Sequence, residues 1–314
     1  MSDTPEDQHG ALSPPAENTR CGFVALIGAP NAGKSTLLNA LVGAKVSIVT
    51  HKVQTTRALV RGIVAHQNSQ IIFVDTPGIF APKRRLDRAM VTTAWGGASD
   101  ADVVALLVDA RKGLTEEVRD ILDKLAEFPV GRSRILILNK VDVTKRENLL
   151  QLAAEANELG RFDRTFMVSA LTGDGTADLM DYFAAGMPES PWLYPEDQMT
   201  DLPLRWLAAE ITREKLMMRL HEELPYHSTV ETDQWTETPK GVRIEQTIYV
   251  ERESQRKIVL GRGGQTIKAI STAARQDISR LLDRPAHLFL FVKVRENWSD
   301  DPERYREMGL EFPR

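Results

Sequence analysis

FVALIGAPNAGKST, residues 23–36, runs from an aliphatic stretch through a glycine turn into the start of an amphipathic segment. Within it Gly28-Ala29-Pro30-Asn31-Ala32-Gly33-Lys34-Ser35 fits G-x-x-x-x-G-K-[ST] in the strand-to-helix setting that the pattern requires. The reason is steric and electrostatic. Gly28 and Gly33 let backbone N–H groups wrap phosphates, the helix N-terminus adds partial positive charge, and Lys34 reaches the β- and γ-oxygens. Ser35 is placed to ligate magnesium, and Thr36 completes the run expected at a nucleotide phosphate chain.

Outward from this turn, short runs that are apolar on both faces alternate with amphipathic segments. FVALIG (23–28), IIFVD (71–75), VVALLVD (103–109), ILILN (135–139) and TFMVS (165–169) read as strands of a parallel sheet covered by helices. Helical patterns lie near 34–43, 84–95, 115–127, 147–159 and 175–185. The fold class is α/β, a doubly wound and mostly parallel sheet.

Three further motifs stand at strand ends. Asp75-Thr76-Pro77-Gly78 carries a magnesium-sensing aspartate and a Gly78 N–H for the γ-phosphate. Asn139-Lys140-Val141-Asp142 offers a carboxylate, Asp142, that accepts both guanine N1–H and N2–H₂, a donor pair adenine lacks. Here Asn139 is expected at the base edge and the Lys140 stem over the ring. Ser169-Ala170-Leu171 fits a backbone contact to guanine O6. These motifs point to GTP or GDP with Mg²⁺ and disfavour an ATP-using kinase. The second metal ligand is expected from HKVQTTRALV (51–60), where Thr56 is favoured over Thr55. Loss of the γ-phosphate would free this loop and the one after Gly78. The catalytic set read from these motifs is Lys34, Thr56, Asp75 and Gly78. Ile79 and Phe80 follow Gly78 where many GTPases carry a water-orienting glutamine, so slow hydrolysis is expected. The competing reading is a nucleotide-gated RNA-binding factor with negligible hydrolysis. Arg57 or Lys83-Arg84-Arg85 could supply charge at the phosphates, although a solvated face accounts for them as well.

GMPESPWLYPEDQMTDLP (186–203) opposes regular structure and reads as a linker. Beyond it come a helix (about 203–224), two strands (about 226–234 and 241–251), a helix (about 264–283) and a strand (287–295). KIVLGRGGQTIKAI (257–270) holds Gly261-Arg262-Gly263-Gly264, a GXXG loop of the kind that clamps a single-stranded nucleic-acid backbone. Residues 252–295 carry ten basic against three acidic side chains, a local footprint hidden by the whole-chain charge of −4. Lys257, Arg262, Lys268 and Arg275, with the loop glycines, are the expected nucleic-acid contacts. The lone Cys21 cannot form an internal disulfide and suits a reducing cytoplasm. No apolar run approaches the length of a membrane span.

GAPNAGKST, QTTR, DTPGIF, NKVD and SAL, in this order, resemble the TrmE-Era branch of translation-factor-type GTPases. That resemblance implies a P-loop GTPase domain followed by an α+β type II KH domain. Its expected parts are a disordered tail (1–20), the GTPase domain (21–186), the linker (187–202), the KH domain (203–300) and a C-terminal tail (301–314). It further implies binding to the 3′ region of small-subunit ribosomal RNA, assistance to late 30S assembly, a monomer, and loose peripheral membrane association. It implies a K⁺ ligand in Asn31, the cation standing in for an arginine finger. Ala29 departs from the branch, where a larger polar residue is frequent; the phosphate contacts there are backbone and survive.

Overall fold

The computed structural model describes residues 18–128 and 132–313. The first half runs β1 (Arg20–Ile27), α1 (Lys34–Val42), β2 (Val60–His66), β3 (Ser69–Asp75), α2 (Arg85–Asp100), β4 (Val103–Asp109), α3 (Glu116–Ala126), β5 (Ser133–Asn139), α4 (Arg146–Gly160), β6 (Arg164–Val168) and α5 (Thr176–Gly186). The sheet order is β2-β3-β1-β4-β5-β6. All neighbours are parallel except β2, which pairs antiparallel with β3. Alternate residues serve opposite faces: Val24, Leu26 and Phe73 pack under α1 and α5, whereas Ala25, Ile27 and Leu106 pack under α2, α3 and α4. This two-sided burial is why the strands carry continuous apolar runs. β2 lacks such a run because it is a half-buried edge strand, and the sequence pattern did not announce it. Both the β1–α1 turn and the turn after β3 lie at the carboxyl edge of the sheet, beside the point where strand order reverses.

The second half contributes α6 (Leu204–Arg219), β7 (Ser228–Thr238), β8 (Gly241–Val250), α7 (Glu253–Leu260), α8 (Gln265–Leu282), β9 (Ala286–Val294) and α9 (Pro302–Glu307). β7 pairs antiparallel with β8, and β8 parallel with β9. Helices α6 and α8 bury Leu207, Ile211, Ala274 and Ile278 against Ile244 and Leu288 of the sheet. The order α-β-β-α-α-β is the expected one with α7 added. That helix is too short for its period to stand out, and the Gln255 side chain caps it by accepting from Glu251 and Arg252 N–H groups.

The boundaries differ from the sequence expectation in three places. Arg20, expected in the disordered tail, opens β1; residues 1–17 of that tail lie outside the described residues. The expected linker is tied to the first domain. Gln70 Oε1 accepts from the Leu193 and Tyr194 N–H groups, and the Ile63 N–H on the β2 edge donates to Met199 O. Trp192 likewise donates through Nε1 to Asn68 O, a further tie of the segment to the GTPase domain. The expected C-terminal tail is a docked element. Tyr305 and Leu310 join Trp298 in a cluster with Leu86, Ala89 and Met90 of α2, and Phe80 packs against it. Three buried apolar side chains leave water at this junction, which a solvated tail would not accomplish.

Candidate nucleotide site and nucleic-acid loop

The β1–α1 turn has the geometry of a phosphate cradle. Gly28 has φ 151° and a Cβ there would stand 2.4 Å from Leu107 O; at Gly33, φ is 99° and a Cβ would meet Asn139 Nδ2 at 2.2 Å. Only glycine fits either position. Lys34 is buried, and its ammonium donates to Gly28 O at 3.1 Å and Ala29 O at 3.2 Å. Burial lowers its pKa to about 8, with the charge of Asp75 opposing the drop.

The metal-ligand candidates converge. Ser35 Oγ donates to Asp75 Oδ2 at 2.6 Å and lies 2.9 Å from Thr56 Oγ1, which is itself 3.4 Å from Asp75 Oδ2. Thr55 turns away and pairs with Thr50 at 2.6 Å, so the Thr56 choice agrees with the packing. Ser47, absent from the sequence-based set, donates to the same Asp75 oxygen at 2.9 Å. Asp75 Oδ1 is buried without a hydrogen-bond partner. Burial pushes the Asp75 carboxyl up against the pull of Lys34 and the hydroxyls. An orphaned carboxylate oxygen beside two hydroxyls is an all-oxygen set that suits a hydrated Mg²⁺.

At the base end the parts are more entangled than their motifs suggest. Asn139, expected at the base edge, donates to Ala32 O at 2.9 Å and accepts from Ala170 N–H at 3.0 Å. Its carboxamide thus ties the phosphate loop to the Ser169-Ala170 turn, and the Ala170 N–H expected on guanine O6 is held by Asn139. Lys140 Nζ crosses to Asn31 O at 2.7 Å and to Asp109 Oδ2 at 2.6 Å, stretching its stem over the base side of the loop. Asp109 and Arg111 were not legible as site residues. Burial opposes the Asp109 charge, but hydrogen bonds from Arg111 and Lys140 prevail and hold its carboxyl at about 2. Asp142 is exposed, and so is Leu171, at 81%.

The side chain after Asp-x-x-Gly does not enter the phosphate site. Ile79 is 6% exposed, lies in the core cluster under α2, and donates its N–H to Gly28 O at 3.1 Å. Gly78 presses on Pro30, where a Cβ would come within 3.0 Å. Asn31 donates to His51 O at 3.0 Å. Arg57 is neither solvated nor a phosphate cation: it is 3% exposed and donates to Ser228 O at 3.0 Å and Pro225 O at 3.3 Å of the second domain. Arg85 pairs with Asp300, and Arg84 reaches His227.

In the second domain Gly261, Gly263 and Gly264 all have positive φ, and Gly264 caps the N-terminus of α8, whose first turn holds no acid. Arg262 lies between them, exposed. Arg256, Arg280, Arg284 and Arg295 are neutralised by Glu253, Asp277, Glu237 and Asp301. Lys257, Arg262, Lys268 and Arg275 are exposed and, among the described residues, form no ion pair. Four of the free cations thus stand nearest the glycine loop and along α8; Arg252 and Lys293, exposed and without an ion pair among the described residues, lie before α7 and on β9.

Comparison with known proteins agrees with this arrangement. A family described as "50S ribosome-binding GTPase" matches residues 23–140, and one described as "KH domain" matches residues 223–299. GTPase Era of Sinorhizobium medicae is 65% identical over 314 residues, covering 100% of this chain and 99% of that protein. GTPase Era of Mesorhizobium japonicum is 69% identical over 296 residues, 94% of this chain and 95% of its own. Two solved structures superpose with a TM-score of 0.87 at 38% identity, over 93% of this chain and 99% of theirs. One is an Aquifex aeolicus Era variant bound to GDP.AlF4-, the other Era in complex with MgGDPNP and nucleotides 1506–1542 of 16S ribosomal RNA. With the phosphate cradle, the guanine motif and the glycine loop all carried on that shared frame, the chain belongs to the Era family of GTPases.

Proposed function

We propose that this GTPase is a slow, magnesium-dependent switch whose KH domain binds the 3′ region of small-subunit ribosomal RNA and assists late assembly of the 30S particle. The RNA half of this reading rests on one observation: four exposed cations that form no ion pair among the described residues, Lys257, Arg262, Lys268 and Arg275, surround or follow the GXXG loop. A relative with the same two-domain frame was solved with 16S ribosomal RNA nucleotides, which supports the choice of transcript. Ser35 and Thr56 would hold the metal through their hydroxyls, with Asp75 holding its water shell. The metal supplies charge neutralisation at the β- and γ-oxygens. Lys34 exchanges its two carbonyl acceptors for phosphate oxygens, and Gly78 offers its N–H to the terminal phosphate. Asp142 reads guanine, and Lys140 covers the ring.

Because Ile79 is packed in the core, no side chain following Gly78 orients the attacking water, and positioning falls to backbone groups and solvent. Slow turnover suits a timer. Asn31 leaves its Oδ1 without a partner among the described residues, which supports K⁺ as a stimulating cation. Turnover compared in K⁺ and Na⁺ for the wild type and Asn31→Ala tests this, and equal rates in both salts would remove it. No helix among the described residues is long and apolar enough to cross a membrane. We place the protein in the cytoplasm as a monomer, with loose peripheral membrane contact.

Crosslinking of bound RNA in cells, with Gly263→Asp as a control that sets acid in the clamp, tests the assignment. The expected signal lies at the 3′ end of small-subunit ribosomal RNA and is lost in the variant. A signal spread over messenger RNA and absent from the small subunit would overturn the assembly role while leaving hydrolysis untouched.

A further inference from the structure

The loop that carries Thr56 is held along its length to the other domain by charged side chains from both. Glu214 of α6 is 2% exposed; its Oε1 accepts the Val49 N–H at 2.9 Å and its Oε2 accepts Lys45 Nζ at 2.5 Å. Arg213, 1% exposed, donates through Nη2 to Thr55 O at 2.5 Å while Glu210 holds its Nε at 2.7 Å. Lys52 Nζ donates to Leu220 O at the end of α6. On the far side of Thr56, Arg57 is buried among the carbonyls of Pro225, Tyr226 and Ser228. The backbone on either side of Thr56 is thus anchored in the KH domain, and the side chain between the anchors lies 2.9 Å from Ser35 Oγ.

Buried charges at a domain junction are expensive unless well paired, and removing one partner leaves the other uncompensated. Glu214 and Arg213 have their pairing completed by this loop. Withdrawal of the loop from the metal position would strip the Val49 N–H and Lys45 from a buried carboxylate, leaving it Lys215 alone, and Thr55 O from a buried guanidinium, leaving it Glu210, so each charge would lose part of its compensation. The docked KH domain therefore favours the arrangement in which Thr56 faces Ser35 and Asp75, and by reciprocity that arrangement favours docking.

We propose that Arg213 and Glu214 are positioning residues for the GTPase site, supplied in cis by the first helix of the KH domain and acting through the backbone that presents Thr56. The inference rests on the reading of Thr56 as a metal ligand. It makes the KH domain part of the hydrolytic apparatus as well as an RNA clamp.

Arg213→Met and Glu214→Gln in the full chain, with Arg213→Lys as the conservative variant and Arg205→Ala as a control elsewhere on α6, provide the test. The first readout needs neither metal nor nucleotide: amide exchange of the segment 45–58. We expect faster exchange there in Arg213→Met and Glu214→Gln, partial recovery in Arg213→Lys, and wild-type exchange in Arg205→Ala. The second is the Mg²⁺ dependence of hydrolysis. The concentration for half-maximal rate should rise about 10-fold or more, as for outer-shell partners of metal ligands, with GDP affinity in the absence of Mg²⁺ held within about 2-fold. Wild-type exchange over 45–58 in both Arg213→Met and Glu214→Gln would overturn the clamp while leaving the role of Thr56 intact. Thr56→Ala, run alongside, separates the two ideas: unaltered Mg²⁺ dependence in that variant would refute the metal-ligand reading itself, and the positioning role with it.

Discussion

Lys34 sits in a buried cradle against two carbonyls and the charge of Asp75, and burial lowers the pKa of its ammonium from 10.5 to about 8. Phosphate oxygens supply the missing negative charge and return that pKa toward or above its ordinary value. Binding of GDP must then take up protons. With a free-state pKa of about 8, the uptake is about a tenth of a proton at pH 7, about half at pH 8 and about nine-tenths at pH 9. The affinity follows with a definite sign. It is nearly flat below pH 7 and falls as pH rises, reaching about tenfold weaker at pH 9 than at pH 7. Nucleotide phosphates titrate near pH 6 and contribute little across the upper window. The same displacement makes the unfolded chain bind more protons than the native one between pH 8 and 10.5, so the contribution of this group to nucleotide-free stability rises with pH there. Titration calorimetry of GDP binding in buffers of differing ionisation enthalpy measures the uptake directly. No proton uptake at pH 8 and 9, together with pH-independent affinity, would refute the reasoning, because Lys34 would then be a full cation before any phosphate arrives.

Gly33→Ala places a methyl 2.2 Å from Asn139 Nδ2 at φ 99°, straining the turn and displacing the amide that joins Ala32 to Ala170. We expect about 2–4 kcal/mol of destabilisation and loss of GDP binding, read by thermal denaturation and equilibrium titration; an unchanged melting temperature would contradict the cradle geometry. Tyr305→Ala removes a fully buried ring between the chain end and α2, and should cost about 3–5 kcal/mol of stability in denaturant titration, whereas a solvated tail would give none. Arg262→Ala combined with Lys268→Ala should lower the slope of log affinity for single-stranded RNA against log salt by roughly 1.4. Arg280→Ala, at a guanidinium paired with Asp277 instead of standing free beside the glycine loop, should lower that slope by less than either substitution near the loop.

The doubly wound domain was legible because burial on both faces writes an unbroken apolar run into each central strand, and because an amphipathic helix follows nearly every one. β2 and α7 escaped for complementary reasons. One is an edge strand with a half-buried face, the other a helix too short to display its period. Among site residues, Gly28, Gly33, Lys34 and Ser35 could be read because a phosphate loop is a contiguous device, its glycines and its lysine acting on backbone that they themselves shape. The sequence favoured Thr56 over Thr55, and in the structure Thr55 pairs with Thr50 while Thr56 Oγ1 lies 2.9 Å from Ser35 Oγ.

What only the tertiary structure decided is everything that depends on two distant segments meeting. Ser47 joins Asp75, Asp109 braces Lys140, and Asn139 is taken up by Ala32 and Ala170. Arg57, a plausible phosphate cation in the sequence, is buried among carbonyls of the KH domain, and an apparent tail lies against α2. A motif records the chemistry of its own backbone, since spacing along the chain sets those distances. Which buried charge answers which partner across a domain boundary is set by packing, and no local pattern encodes it.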